Sequence, residues 1–80
     1  MNVEFKSIPE MYRKEHNGLK RNTVIKRDSP KDFRFKILRC FMKGQIHNLN
    51  ITIVNTDTSE SFTREVTDVT QWGDLYIISW

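Results

Sequence analysis

The sequence contains few of the residues that support disulfide-stapled, metal-binding or membrane-spanning proteins. It has one cysteine, Cys40, which excludes an internal disulfide framework, and its two histidines, His16 and His47, lack the partner spacing of a metal site. No stretch approaches the roughly 18 apolar residues of a membrane span, and the N-terminal residues lack the apolar run of a signal peptide. We therefore expect a soluble, unprocessed cytoplasmic protein without a metal ion, a cofactor or a membrane partner.

Length and charge limit the remaining possibilities. The 80 residues allow one domain, residues 1–80, and a chain of this size buries only roughly 60 to 65% of its unfolded surface. Residues 1–43 carry twelve of the thirteen Lys and Arg against five acids, whereas residues 44–80 carry one Arg against five acids. The basic part can bind a polyanion, neutralise the acidic part across the fold, or simply keep the protein soluble.

The first part of the chain predicts one helix followed by strands. "SIPEMYRKEHNGLK" predicts a short helix near residues 8–16, with Ser7 as its cap, Pro9 in the first turn and Gly18 at its exit. The spacing of Ile8, Met11 and Tyr12 predicts an apolar stripe that packs on a sheet. "NTVIKR" predicts a strand and "DSPKD" a turn.

The rest of the chain predicts a mostly antiparallel sheet. "FRFKILRCFM" begins with alternating apolar and charged residues and predicts a strand that is bulged or covered on both sides near its end. "LNITIVN" and "FTREVTDVT" predict a long hairpin, and "LYIISW" predicts the last strand, after the turn at "WGD". The expected fold class is α+β, mostly β: a small antiparallel barrel or half-barrel of about five strands with one N-terminal helix.

The segment "NGLKRNTVIKRD", which follows the predicted helix, resembles the start of ASCH domains, which are small barrels of PUA-like type. Gly18, Lys20 and Thr23 match the threonine form of the ASCH pattern G-x-K-x-x-E-x-R, while Ile25 stands at its arginine position. "NTDTSESFTREVTDVT" is similar to a later ASCH hairpin. The likeness covers about half the chain, and ASCH domains are usually longer than 80 residues.

The resemblance implies two kinds of activity. PUA-like barrels commonly bind RNA or modified bases, whereas the threonine-bearing subset includes amidohydrolases that act on N4-acylated cytidine with a lysine, a threonine and a glutamate. Lys20 and Thr23 would supply the first two groups, and Glu65, or else Glu10, the acid. Lys20 can remove the hydroxyl proton of Thr23 if desolvation or neighbouring cations make its amine neutral. Without a catalytic role, Lys20 is a solvated residue and Thr23 an ordinary strand former.

Nucleic-acid binding requires only a cationic surface with some planar side chains. On the predicted strands the cations of the basic part can form one patch, and Trp72 in a turn is the best candidate for stacking. The residues predicted to bind RNA or a nucleotide-like ligand are Arg21, Lys26, Arg27, Arg34, Lys36 and Trp72.

A third hypothesis is that the protein acts by occupying the surface of a protein partner, as an inhibitor or adaptor of the kind that phages and mobile elements encode. The three hypotheses predict different structures. An enzyme should bring Lys20 and Thr23 together in one pocket, an RNA-binding protein should have a basic groove, and an adaptor should have an apolar patch with neither.

Overall fold

A computed structural model describes residues 1–29 and 31–80. Within this part the chain forms six strands and two helices, which in order are β1 (Asn2–Ser7), α1 (Pro9–His16), β2 (Asn22–Lys26), α2 (Phe33–Met42), β3 (Asn50–Asn55), β4 (Ser61–Glu65), β5 (Asp68–Trp72) and β6 (Leu75–Ser79). The α+β class with mostly strands is confirmed. Neither helix of the described residues is long and apolar enough to cross a membrane.

The strands form two three-stranded sheets, so the predicted barrel or half-barrel of about five strands is wrong. The first sheet has the order β1-β3-β4 and the second β2-β6-β5, and no closed barrel forms in the described part of the chain. The chain passes from one sheet to the other at Val66 and Thr67, whose N–H groups donate to Leu49 and Ser79. The predicted strand "FTREVTDVT" is therefore two strands, β4 and β5, that belong to different sheets.

A strand that the sequence analysis missed, β1, pairs in parallel with β3. Its apolar residues Val3 and Phe5 alternate with exposed residues and are buried. Parallel strands need a long connection, and here α1, β2 and α2 supply it. The expectation of a single helix and a mostly antiparallel sheet is corrected accordingly, whereas the antiparallel pairing predicted for "LNITIVN" with the start of "FTREVTDVT" is confirmed as β3 with β4.

The predicted strand "FRFKILRCFM" is helix α2. Asp32 caps this helix by accepting a hydrogen bond from the backbone N–H of Arg34 at 3.0 Å. Phe35, Ile37 and Leu38 are buried, so the helix places these three residues in the core, whereas Phe33 and Met42 are exposed. The short alternation at residues 33–37 also fits a strand. Residues 37–42, however, are apolar at almost every position, a pattern that fits a helix better than a strand with one buried side. The turn predicted at residues 28–32 includes Pro30, which lies outside the described residues.

The core lies between the inner faces of the two sheets, with the helices packed against it. Phe35 of α2 contacts both Phe5 and Tyr76, with ring centroids 6.0 Å and 5.0 Å apart. The buried apolar residues of the strands and their connections are Val3, Phe5, Leu49, Ile51, Ile53, Phe62, Val66, Val69, Tyr76 and Ile78. The core thus includes Leu49, Ile51 and Ile53, the face predicted from "LNITIVN".

Helix α1 is correctly predicted in its bounds, but its buried face differs from the predicted stripe. Ile8 is the N-cap residue and is 59% exposed, and no side chain caps the helix. Tyr12 and Glu15 are the buried residues of α1. The hydroxyl of Ser7, which was predicted to cap the helix, instead donates a hydrogen bond to Glu15 at 2.8 Å. This buried carboxylate is central to the candidate site.

Candidate site around the buried Glu15

Glu15 is a fully buried carboxylate held by two neighbours. Its side chain is 0% exposed, and its Oε1 accepts the hydrogen bond from Ser7 at the end of β1. Its Oε2 lies 3.4 Å from the Nζ of Lys20, whose side chain is 25% exposed. A buried ionised group is costly unless it is paired, and this pair satisfies the requirement.

The turn that follows α1 brings Lys20 back toward Glu15. Gly18 adopts a φ of +79°, a left-handed conformation that residues with a Cβ rarely adopt. The backbone N–H of Lys20 then donates to the carbonyl of Lys14 at 3.1 Å, which folds the chain onto the end of the helix. The glycine predicted to end the helix therefore also positions the cation of the ion pair.

One cavity next to Glu15, here called the lysine cavity, has a volume of about 340 Å³. Its lining includes Ser7, Glu15, Lys20 and Thr23. Thr23 lies in β2, where it pairs with Ile78, and is buried. Lys20, Thr23 and a carboxylate therefore line a single cavity, but the carboxylate is Glu15.

The two acids named from the sequence lie elsewhere. Glu65 is exposed at the end of β4, where its Cα pairs with that of Asn50. Glu10 is exposed on the first turn of α1 and forms an ion pair with Lys14 at 3.8 Å. Neither residue lines the lysine cavity.

A second cavity, here called the arginine cavity, has a volume of about 350 Å³ and adjoins the first at Glu15. Its lining includes Arg21, Arg64, His16 and Trp80. Trp80 is held there by its backbone N–H, which donates to the carbonyl of Arg21 at 3.0 Å. Cationic and aromatic groups thus share the wall of one opening.

Aromatic rings fix the side chains of the arginine cavity. The His16 ring stacks on Tyr12 at 5.8 Å and lies 5.3 Å from Phe62. Phe62 also contacts Trp80 edge to face at 6.1 Å, and the guanidinium of Arg64 lies over the Phe62 ring at 4.8 Å. This packing orders the wall before any ligand binds, which lowers the entropic cost of binding.

The residues of the predicted nucleic-acid surface do not form one patch, because residues 33–42 form a helix rather than a strand beside β2. Arg34 is occupied: it binds the Asp32 carboxylate through Nε and Nη2, donates to the Glu4 carbonyl at 2.7 Å, and lies 4.3 Å from the Phe5 ring. The hydrogen bond from Arg34 lowers the pKa of Asp32 from its ordinary value and raises the pKa of Arg34.

Of the remaining predicted residues, Lys26, Arg27 and Trp72 lie at one end of the β2-β6-β5 sheet, whereas Lys36 lies on α2. Arg27 pairs with Asp74 at 3.5 Å, and Lys36 lies on α2 with its Nζ 5.9 Å from the Phe33 ring. Lys26 is exposed on β2, and Trp72 is 82% exposed at the end of β5. Of the residues predicted to bind nucleic acid, Arg21 alone lines the arginine cavity.

Sequence reasoning missed four members of the site: Glu15, His16, Arg64 and Trp80. A signal for Glu15 was present, because it lies three residues after Tyr12 and therefore on the same helical face. An acid on the apolar face of a short helix indicates a buried carboxylate. Arg64 and Trp80 carry no comparable local signal, since the sheets bring them to the cavity from distant parts of the chain.

In comparisons with known proteins, no family model, curated protein or solved structure matches this chain.

Proposed function

We propose that this protein binds a nucleotide-like ligand, either a free nucleotide or one nucleotide of a single-stranded RNA, in the arginine cavity. The observation that carries the proposal is the meeting of Arg21, Arg64 and Trp80 around one cavity of about 350 Å³. Guanidinium groups bind phosphate through paired hydrogen bonds, and an indole ring offers a face on which a base can stack. The volume is within the range of small-ligand sites, at its lower end.

The hydrogen bonding of the cations supports this cavity over the rest of the basic surface. Within residues 1–29 and 31–80, Arg21 makes no side-chain hydrogen bond or ion pair, and Arg64 uses Nη1 to donate to the Thr63 carbonyl. Arg34 and Arg27, in contrast, already bind carboxylates. Among the described residues, neither Arg21 nor Arg64 is bound to a carboxylate, so both guanidinium groups are available to a ligand phosphate in the arginine cavity.

The buried ion pair beside the cavity is a second reason to place the function here. Replacing a buried ion pair by apolar residues is often neutral or stabilising, so such a pair contributes little to stability by itself. Glu15 lines both cavities and Lys20 lines the lysine cavity, so the pair borders the space that a ligand would occupy.

The proposal is tested by binding measurements on paired charge variants. Arg21→Gln with Arg64→Gln removes two cations of the cavity, and Lys26→Gln with Lys36→Gln removes two exposed cations outside it. We expect the first double variant to bind a short single-stranded RNA at least tenfold more weakly, and to flatten the slope of log affinity against log salt by about 1.4, since each phosphate-bound cation contributes about 0.7. The second should change affinity much less.

Fluorescence anisotropy of labelled RNA measures both the affinity and its dependence on salt. In a Trp72→Phe protein Trp80 is the remaining tryptophan, so a change in tryptophan emission on ligand binding reports stacking on Trp80. Titration with cytidine monophosphate asks whether a free nucleotide suffices. Equal weakening by both double variants would show diffuse attraction instead of a site. If the wild-type protein binds neither ligand at low salt, the proposal is wrong.

A second candidate function, hydrolysis of an acylated nucleobase amide, is favoured by a separate observation: Lys20, Thr23 and Glu15 line the lysine cavity. These are the residue types that the ASCH resemblance implies, with Glu15 in place of Glu65 or Glu10. We extend that resemblance to a proposed relationship with the PUA-like domains.

The chemistry would run through an acyl-enzyme. The Thr23 oxygen attacks the amide carbonyl carbon and its proton passes to the Glu15 carboxylate. Glu15 returns this proton to the departing amine as the C–N bond breaks, while Lys20 stabilises the oxyanion. Water then hydrolyses the threonine ester and releases the carboxylate.

Incubation with N4-acetylcytidine tests this candidate. We expect wild-type protein to release acetate, Thr23→Val to abolish the release while keeping the β-branched shape, and Thr23→Ser to retain part of it. If wild-type protein releases no acetate, the hydrolase candidate is wrong, and the binding proposal stands or falls on its own experiment.

A further inference from the structure

The outward side of the β2-β6-β5 sheet, here called the outer sheet face, presents three rows of side chains. Directly paired residues of antiparallel strands point to the same side, so the register fixes the rows. The pairs of β2 with β6 and of β5 with β6 give the rows Lys26–Leu75–Trp72, Val24–Ile77–Thr70 and Asn22–Ser79–Asp68. The alternate residues, among them Thr23, Tyr76, Ile78 and Val69, are buried on the inner side.

Two of the three rows of this face carry exposed or partly exposed apolar side chains. Trp72, Val24 and Leu75 are 82%, 50% and 43% exposed, and Ile77 lies between them. The outward side of the β1-β3-β4 sheet differs, because its rows hold mainly Asn, Thr, Ser, Glu and Lys. The contrast between two sheets of equal size makes the outer sheet face the stronger candidate for a contact surface.

The charges of the face favour a second copy of this chain over a nucleic acid. The face carries one cation, Lys26, and one acid, Asp68, so it has no excess of positive charge to attract phosphates. Next to it, Arg27 is already paired with Asp74. A neutral and apolar face suits a partner of the same kind.

The face is complementary to its own two-fold image. An axis parallel to the strands lays β6 over β6 of the second copy and sets β2 opposite β5. Lys26 then lies opposite Trp72 of the second copy, which is a cation–π pair, and Asn22 opposite Asp68, which is a hydrogen-bonding pair. Leu75 and Ile77 meet their own copies at the centre, in the aligned packing common to stacked sheets.

We propose that two copies of this protein associate face to face through the outer sheet face. Strands about 5 Å apart and rows about 7 Å apart give the three rows a projected area of roughly 300 Å² per copy. This is well below the roughly 800 Å² per partner of a standard interface, so the dimer is a weak one. It forms on the sheet side opposite the core and is independent of the proposed ligand site.

Sedimentation velocity tests the association directly, over protein concentrations from about 10 µM to about 1 mM, where weak interfaces dissociate. The wild-type mass should rise toward twice the monomer value as concentration increases. Trp72→Thr with Leu75→Thr should remain monomeric throughout. The matched control is Leu19→Thr with Phe33→Thr, which removes two residues that are 79% and 62% exposed outside the face and should dimerise as the wild type does.

Chemical cross-linking provides a second measurement that does not depend on removing apolar residues. In a Cys40→Ser background, Ile77→Cys places a thiol of each copy near the proposed axis. Because stacked sheets lie about 10 Å apart, beyond the reach of a disulfide, a short bis-maleimide should join the two thiols in a covalent dimer. Thr63→Cys, at an exposed position on the outward side of the other sheet, should not. The proposal is overturned if the wild type stays monomeric at the highest concentration, if both cysteine variants cross-link equally, or if Trp72→Thr weakens RNA binding while the mass of the wild type stays that of a monomer.

Discussion

Removing Lys20 should destabilise the fold far more than removing an exposed lysine. Lys20→Met would leave the Glu15 carboxylate, which is 0% exposed, with the Ser7 hydroxyl as its partner. Breaking a buried ion pair costs about 3 to 5 kcal/mol, and because the Lys20 side chain is 25% exposed we expect about 2 to 3 kcal/mol. For a domain of this size, that free energy corresponds to a loss of about 10 to 20 °C in Tm.

Two companion variants make the expectation specific. Lys14→Met breaks the exposed pair with Glu10, at 3.8 Å, and should change the free energy of unfolding by less than about 0.5 kcal/mol. Glu15→Leu together with Lys20→Met removes both buried charges and should return stability to within about 1 kcal/mol of the wild type. The measurement is urea unfolding followed by tryptophan fluorescence.

The outcome that refutes the reasoning is a Lys20→Met protein as stable as Lys14→Met. It would show that water reaches the Glu15 carboxylate in solution, so that the buried pair is not the centre of the site. A double variant as unstable as Lys20→Met alone would place the cost in lost packing of the lysine stem instead of in the isolated charge.

Three further predictions concern the fold. Ile51→Ala should lower the free energy of unfolding by about 2 to 5 kcal/mol, because Ile51 is fully buried in β3, whereas Asn50→Ala at the neighbouring exposed position should cost well under 1 kcal/mol in the same urea titration. Asp32→Asn keeps a capping side chain but loses the charge that binds Arg34, whose hydrogen bond lowers the pKa of Asp32. The wild type should therefore be more stable than this variant by roughly 0.5 to 1 kcal/mol at neutral pH. In thermal melts this difference should disappear as pH falls below the unfolded pKa of about 3.9 and through the lower folded pKa. Gly18→Ala should lower the Tm and weaken ligand binding together, since φ is +79° and the turn positions Lys20; an unchanged Tm would contradict the argument from backbone strain.

Local patterns predicted the elements whose signals are complete within a few residues. Pro9 and Gly18 frame helix α1, and the alternation of Leu49, Ile51 and Ile53 locates β3 and its buried face. The alternation at residues 33–37 led to a wrong prediction, because five residues are too few to distinguish a strand from a helix. In α2 the first apolar residue of that pattern, Phe33, is exposed and only Phe35 and Ile37 are buried. The capping side chain of Asp32 favours the helix over the strand, although the same residue also fits the turn predicted at residues 28–32.

Sheet topology could not be predicted, since it depends on contacts between distant segments. Val3 and Phe5 give β1 an alternating pattern, but nothing in those residues specifies a parallel pairing with β3. Nothing in the sequence predicts the bend at Val66 and Thr67, because both residues are ordinary strand formers. The bend arises because β4 belongs to one sheet and β5 to the other.

The lysine cavity was half predictable. The resemblance of "GLKRNT" to the ASCH pattern predicted that Lys20 and Thr23 share a pocket, and both residues line the lysine cavity. The acid could not be assigned by proximity in sequence, because Glu10, Glu15 and Glu65 were all available. Burial distinguishes them: Glu15 alone among the three is on the core side of its element.

The fold does not keep the basic and acidic parts of the sequence on separate surfaces. Arg64 is the one cation of residues 44–80, and counted by sequence it belongs to the acidic part. Strand β4 nevertheless carries it to the arginine cavity, beside Arg21 from the basic part. Meanwhile the basic residues Arg27 and Arg34 are bound to Asp74 and Asp32. A phosphate binds where the fold leaves cations without a carboxylate partner, so an excess of lysine and arginine in one part of the sequence does not locate the binding surface. Comparing RNA binding by the Arg21→Gln, Arg64→Gln variant with that by the Lys26→Gln, Lys36→Gln variant tests whether the cavity cations or the exposed cations bind the phosphate.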